Sequence, residues 1–488
     1  MARLHLQLQP YVPSEADPFD RVKASHLLSR AGFGGTDAEI DRVLSLGPTK
    51  AVDELLDFPD TSAKDQDPKD QPDLSAIEDL PKSMKALRQM FRGMSEEERK
   101  LAFQRAIVAN VRALTECGRW WMHRMATGDY PLQEKLTLFW HGHFATSAKD
   151  ERSAFLMFKQ NELLRQYAAG DFFQFVKSIS RDPAMLDYLN NTQNHKRKPN
   201  ENYARELMEL FTLGIGNYSE TDIKEAARAF TGWTHDGEDF SFDNDDHDTG
   251  TKRFFGKQGT FDGDDVITLI CKHPACQEFI AGKLYRFFVS DQLDSAVQNN
   301  LGQVFWDAKY KLRPLLRTML TSRIFYAPAT IGAQIKSPVQ LVIGTVRKLN
   351  LTMPQTGVLA GALNQMGQVP FFPPNVKGWP GGRAWINTST LFVRQNTAVF
   401  LAGGSAPGTG RRFMDRLISA GLDTRFQPKG GASSDKLVDE WVARLMGRPI
   451  DSDKRRVLID SLAGQPSRPE NVKNMIQLIV AMPEYQLC

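Results

Sequence analysis

From about residue 81 onward, apolar side chains recur at the spacing of one helix face. Met84, Leu87, Met90 and Phe91 keep that period, and so do Ile107, Val111 and Leu114. Segments patterned this way are stable only when each lays its apolar stripe against other helices. The chain has 488 residues, 41% of them hydrophobic, which is ample for a large core. The expected fold class is therefore mainly α: a multi-helical single body with a Gly/Asp-rich loop or short β-hairpin insertion and a small C-terminal helical unit.

Punctuation residues divide the chain. Residues 1–56 form an N-terminal helical segment. Its first helix starts near Val22 and stops at Ala31-Gly32-Phe33-Gly34-Gly35, and Thr36 with Glu39 has the spacing of a capping box for the next. Residues 57–82 are rich in Pro, Asp and Lys and read as a mobile linker. The main helical domain spans 83–402, and Pro131 stands at a favoured first-turn position within it. Its Gly/Asp-dense stretch 234–263 is long for an idle loop. A flexible linker follows at 403–434, then a helical unit at 435–488.

Several function classes drop out. Lys+Arg 61 against Asp+Glu 58 leaves +3, too little for a global field that attracts nucleic acid. The run His195-Lys196-Arg197-Lys198 is short and lacks interleaved aromatics. No apolar run approaches a membrane span. The first residues lack the apolar stretch of a secretory signal, so the chain reads as cytoplasmic. A missed leader, or an exported partner, would put it in the periplasm instead. Cys117, Cys271, Cys276 and Cys488 form no CxxC pair and read as buried free thiols, Cys271 and Cys276 falling on different faces of a helix. No Walker A, GxSxG, GxGxxG or HExxH motif is present.

Three segments carry polar groups that simple packing does not explain. In Phe139-Trp140-His141-Gly142-His143-Phe144 the two imidazoles converge only if the backbone is extended, which Gly142 permits; the alternative is a pair of core or capping histidines. In the helix around Asn202, Arg205, Glu206 and Glu209 those four residues fall at i, i+3, i+4 and i+7 among apolar neighbours. They make either a buried network with a tuned carboxylate or a surface salt-bridge stripe. In the acidic stretch, His247-Asp248 pairs an imidazole with a carboxylate, while the remaining acids suit a solvated tip. Further on, Trp379, Trp385 and Asn387 lie on a Pro/Gly-rich segment that suits either sugar stacking or a plug into the protein's own core.

Taken in order, these blocks resemble the bacterial family catalogued as domain of unknown function 1800. The resemblance runs from HLLSRAGFGGT (26–36) through FWHGHFATS (139–147), PNENYARELMELFTLGIGNYSETDIKEAARAFTGW (199–233) and HDTGTKRFFGKQG (247–259) to PPNVKGWPGGRAWINTSTLFVRQN (373–396) and PEYQ (483–486). It implies, for some members, a companion resembling exported sulfatase or phosphatase-like proteins.

The function expected from the residues is a metal-dependent hydrolase of a polysaccharide or cell-envelope polymer. His141, His143, His247 and Asp248 would hold a divalent ion, Zn or Fe. Glu206 would be the general base, with Arg205 and Glu209 beside it, and Asn202, Trp379, Trp385 and Asn387 would contact substrate. The alternative is a non-catalytic helical scaffold or partner of the companion protein.

Overall fold

A computed structural model describes residues 4–61, 67, 69–353, 356–403, 433–466 and 468–488. It is mainly helical. The described strands form two two-stranded antiparallel hairpins. Most of the 403–434 linker lies outside the described residues.

The local signals act as expected. Asp20 caps the helix Arg21–Arg30, and Thr36 with Glu39 forms both hydrogen bonds of a capping box before Asp37–Leu56. That second helix breaks at Gly47, whose φ of 75° precedes Pro48. Pro131 opens the helix Pro131–His143.

The helix Pro131–His143 is the hub. Its Glu134 is buried and accepts from Arg124 Nε at 2.9 Å, Arg165 Nε at 2.8 Å and the Trp121 indole at 2.9 Å. One carboxylate thus ties this helix to Glu96–Thr127 and to Ala154–Gln166. Burial alone would raise the Glu134 carboxyl, but the charges of Arg165 and then Arg124 outweigh it and hold it below the usual range.

Two apolar cores meet at this hub. Leu132, Leu136 and Trp140 face the first, with the N-terminal helices and residues 172–326. Leu138 joins the second, built from Glu96–Thr127, Pro338–Lys348 and Thr388–Leu401. The C-terminal helices Ser434–Met446, Ser452–Ser461 and Pro469–Ala481 complete that second core, so the C-terminal unit is a layer of the body. Its last residues return to the middle of the chain, where Lys336 N donates to Gln486 O at 2.9 Å. The stretch read as a linker at 57–82 is packed where it is described. Phe58 and Ile77 are buried, and Asp70 accepts from the Trp120 indole at 2.8 Å and pairs with Arg124.

The 234–263 stretch folds as the two hairpins. Trp233–His235 pairs with Phe240–Phe242, and Lys252–Phe254 pairs with Lys257–Gly259. Phe255 and Gly256, both with positive φ, make the tight turn of the second. The thiols are free, with Cys117, Cys271 and Cys276 buried and Cys488 half-buried. Helix Gly263–Cys271 ends before Pro274–Phe288 begins, so the single-helix spacing argument does not apply, and the Cys276 and Cys271 thiols share a hydrogen bond.

Candidate functional site

The histidine pair departs from the extended geometry that convergence requires. The backbone stays helical through His143, so the two rings point to different sides. His141 Nε2 accepts the Phe371 backbone N–H at 3.1 Å, and its ring packs edge-on to Trp121, Phe371 and Trp379. His143 Nε2 meets the Phe211 carbonyl oxygen at 2.9 Å, so there the ring donates. The partners imply opposite tautomers, Nδ1–H for His141 and Nε2–H for His143. Burial pushes His141 down to about 3. Burial and then the charge of Lys283 push His143 well below the ordinary imidazole value. Both are neutral across the physiological range.

Gly142 serves a different purpose from a backbone extension. Gly378, with φ of 78°, crosses so closely that a Cβ there would lie 1.9 Å from the Gly142 carbonyl oxygen. A Cβ on Gly142 would lie 3.4 Å from the Trp379 ring. The glycines let the loop carrying Trp379 sit directly on the end of the helix.

The remaining expected metal ligands lie with other partners. His247 Nδ1 meets the Thr231 carbonyl oxygen at 2.8 Å, and its ring packs on Phe242. Asp248 is gripped by Arg228 through Nε at 2.7 Å and NH2 at 3.2 Å, and it accepts the Gly250 N–H at 2.8 Å. Hydrogen bonding from Arg228 holds its carboxyl below the usual range. Among the described residues, no three His, Cys, Asp or Glu side chains come together to hold a metal ion. His141, His143, His247 and Asp248 thus form no shared ligand set among the described residues, each hydrogen-bonding to a different part of the fold.

The acidic stripe is also redistributed. The α-helix Asn202–Glu206 passes into a π-helical segment, Leu207–Thr212, so α-helical spacing does not carry from Asn202 to Glu209. A π-turn leaves carbonyls that need outside donors, and His143 supplies Phe211 while Lys283 Nζ donates to Leu210 O at 3.3 Å. Arg205 is turned toward Glu220, at 2.8 Å, and Glu201, at 3.1 Å, and does not hold Glu206. Glu209 accepts the Tyr218 hydroxyl at 2.9 Å. Asn202 donates to the Leu189 carbonyl at 3.0 Å, a structural contact. Glu206 is half-buried, and its carboxylate makes no hydrogen bond or ion pair among the described residues. Burial, then the charge of Glu209, raises its carboxyl above the ordinary value.

A cavity of about 490 Å³ opens where these elements meet. His143 and Phe139 form one wall, Lys283 and Arg286 of the helix Pro274–Phe288 another, and Lys377, Trp379, Arg383 and Trp385 a third. Ser337 and Gln340, the capping box of Pro338–Lys348, also border it and bring the positive end of that helix. Asp291 is the one carboxylate among its described lining residues, against four cations. None of those four has an ion-pair partner among the described residues. Burial, with help from Arg286, pushes the Lys283 ammonium down to about 8.

Trp379 and Trp385 line this cavity, Trp385 almost fully buried. Two lining residues, His143 and Trp379, carry a buried ring nitrogen with no partner, Nδ1 and Nε1. Asn387 is spent otherwise: its Oδ1 accepts the Thr390 N–H at 2.9 Å and caps Thr388–Leu401. The residues that sequence reasoning missed are Lys283, Arg286, Asp291 and Arg383. Lys283 and Arg286 stand at i, i+3 on a helix, a spacing too ordinary to mark a site.

No described helix is long and apolar enough to cross a membrane. No curated protein and no solved structure matches the chain. A family model described as "Protein of unknown function (DUF1800)" matches residues 26–487, nearly the whole length, and the chain belongs to that family.

Proposed function

We propose that this protein is a binding protein for an anionic saccharide, such as a segment of an acidic cell-envelope polymer, held in the cavity between the hub helix and the Trp379 loop. The observation that carries this reading is the lining itself: two indoles beside Lys283, Arg286, Lys377 and Arg383, with Asp291 as the single described carboxylate. Indole faces pack against the C–H face of a sugar ring, and unpaired cations attract carboxylate or sulfate groups on it. The volume of about 490 Å³ accommodates a short segment of such a chain.

Calorimetry with hexagalacturonate and with neutral maltohexaose tests this. The acidic oligomer should bind and weaken as salt rises from about 0.05 to 0.5 M, because screening shortens the reach of exposed charges. The exposed change Lys377→Glu should weaken it at least tenfold. Equal binding of the two oligomers, or none of either, would remove the proposal.

Hydrolysis is a second reading with one support. Glu206 has a raised carboxyl and feels the charge of Lys377, which lines the cavity. A carboxyl that keeps its proton to higher pH than usual is better suited to general acid catalysis, which needs no metal. Reducing-end release from the acidic oligomer that disappears in Glu206→Gln, with binding retained, would establish it. Release that persists in that variant would exclude Glu206 from the chemistry.

A further inference from the structure

A second cavity, also of about 490 Å³, lies on the other side of the 368–372 segment. Gln368 borders the saccharide cavity, whereas Val369, Pro370 and Phe372 border this one. Between them Phe371 is fully buried in a left-handed conformation with φ of 69°. It is pinned there by its N–H to His141 and by the Ala148 N–H on its carbonyl at 2.9 Å. The two cavities share no described lining residue.

The second cavity is a groove rather than a round hole. Its floor is one stripe of Glu96–Thr127, running from Ala106 to Met122. At 1.5 Å per residue that stripe is roughly 24 Å long. Ile107, Val111, Leu114, Met122, Leu363 and Phe372 make the lining strongly apolar. Val111 is 58% and Phe372 39% exposed, so apolar surface is left facing water in the absence of an occupant.

Charge tells what the occupant carries. The described lining holds three cations, Arg119, Lys149 and Arg152, and no carboxylate. Arg119 pairs with Glu116 at 2.7 Å, but Lys149 and Arg152 have no acidic partner among the described residues. Lys149 lies in one short helical turn, Ala148–Glu151, and Arg152 ends it in a left-handed conformation with φ of 60°. Two unpaired cations on one turn beside a long apolar trough complement a molecule that is charged at one end only.

We propose that this groove binds a single-chain fatty carboxylate, with its tail along Ala106–Met122 and its carboxylate at Lys149 and Arg152. The proposal stands apart from the saccharide reading, since different residues form each cavity.

The test is a series of saturated fatty acids from eight to eighteen carbons, below their aggregation concentrations, titrated into the full chain by calorimetry. Affinity should rise about fourfold per added methylene while the trough fills and then level off. Lys149→Glu should weaken palmitate at least tenfold and leave hexadecanol unchanged. Gly118→Leu gives a blocking variant that keeps its fold. A Cβ there meets nothing within 4 Å, and replacing a mid-helix glycine favours the helix. It should abolish binding with the melting temperature unchanged or raised. Palmitate affinity unaltered by Gly118→Leu, or an affinity that climbs with chain length without levelling, would overturn the groove. Equal weakening of acid and alcohol by Lys149→Glu would overturn the placement of the carboxylate.

Discussion

His141 and His143 show how one residue type acquires two roles two positions apart. Each is buried and neutral, and each spends Nε2 on a backbone group, one accepting from Phe371 and one donating to Phe211. A buried donor that loses its partner keeps its full desolvation cost. His141→Phe should therefore cost about 1–3 kcal/mol of stability by denaturant midpoint. His141→Gln, which keeps an acceptor, should recover part of that loss. Elemental analysis should find the same metal content in the parent and in His141→Phe. A stoichiometric ion that disappears with the substitution would contradict the separation of these side chains.

At the scale of elements, the helix Pro131–His143 decides the most. Its first-turn residue Glu134 binds two neighbouring helices, and its C-terminal end receives the Trp379 loop. Removing the Glu134 charge leaves two buried guanidinium groups with only Asp70 and Glu162 as acidic partners. Glu134→Gln should destabilise by about 3–5 kcal/mol, read as a fall in urea midpoint, and should loosen both attached helices in hydrogen exchange. A loss under about 1 kcal/mol would mean that Asp70 and Glu162, which already pair with Arg124 and Arg165, suffice to compensate them. The π-helical Leu207–Thr212 is the other deciding element. Its carbonyls draw His143 and Lys283 toward it and so shape the wall of the cavity beside the Trp379 loop.

Across the whole molecule, the most telling electrostatic feature is the set of buried lysines. Burial pushes Lys135 down to about 7 and Lys348 to about 8, and Lys283 stands at about 8. Lys135 donates to Gly32 O at 2.9 Å and Lys348 to Leu445 O at 2.8 Å, linking separate layers of the body. The unfolded chain carries these lysines near their ordinary value of about 10.4. Between the folded and unfolded values the unfolded state holds more protons, so stability rises with pH. Each lysine contributes up to about 1.4 kcal/mol per pH unit in that window. The urea midpoint should climb from pH 7 to pH 9, and Lys135→Met should flatten the climb. Above about pH 10 the trend should reverse, because burial raises Tyr203, Tyr326 and Tyr485 and the unfolded chain loses those protons first. A flat or falling midpoint between pH 7 and 9 would refute this account.

Local rules in the chain determined the helical class, the capping box at Thr36 and Glu39, the start at Pro131 and an ordered excursion near 234–263. All of these depend on contacts within a few residues, which a sequence carries openly. The partners of the polar side chains were decided elsewhere. Whether Gly142 extends a backbone or admits Trp379 depends on a loop more than 230 positions away. Asn387 looked like a sugar contact until Thr390 claimed it as a cap, and Arg205 turned to Glu220 once the two helices were juxtaposed. Lys283 and Arg286 came to share one cavity with Lys377 and Arg383 only when two separate segments met. Burial, charge pairing and pKa follow from distances in space, and spacing along a chain fixes those distances only within one element.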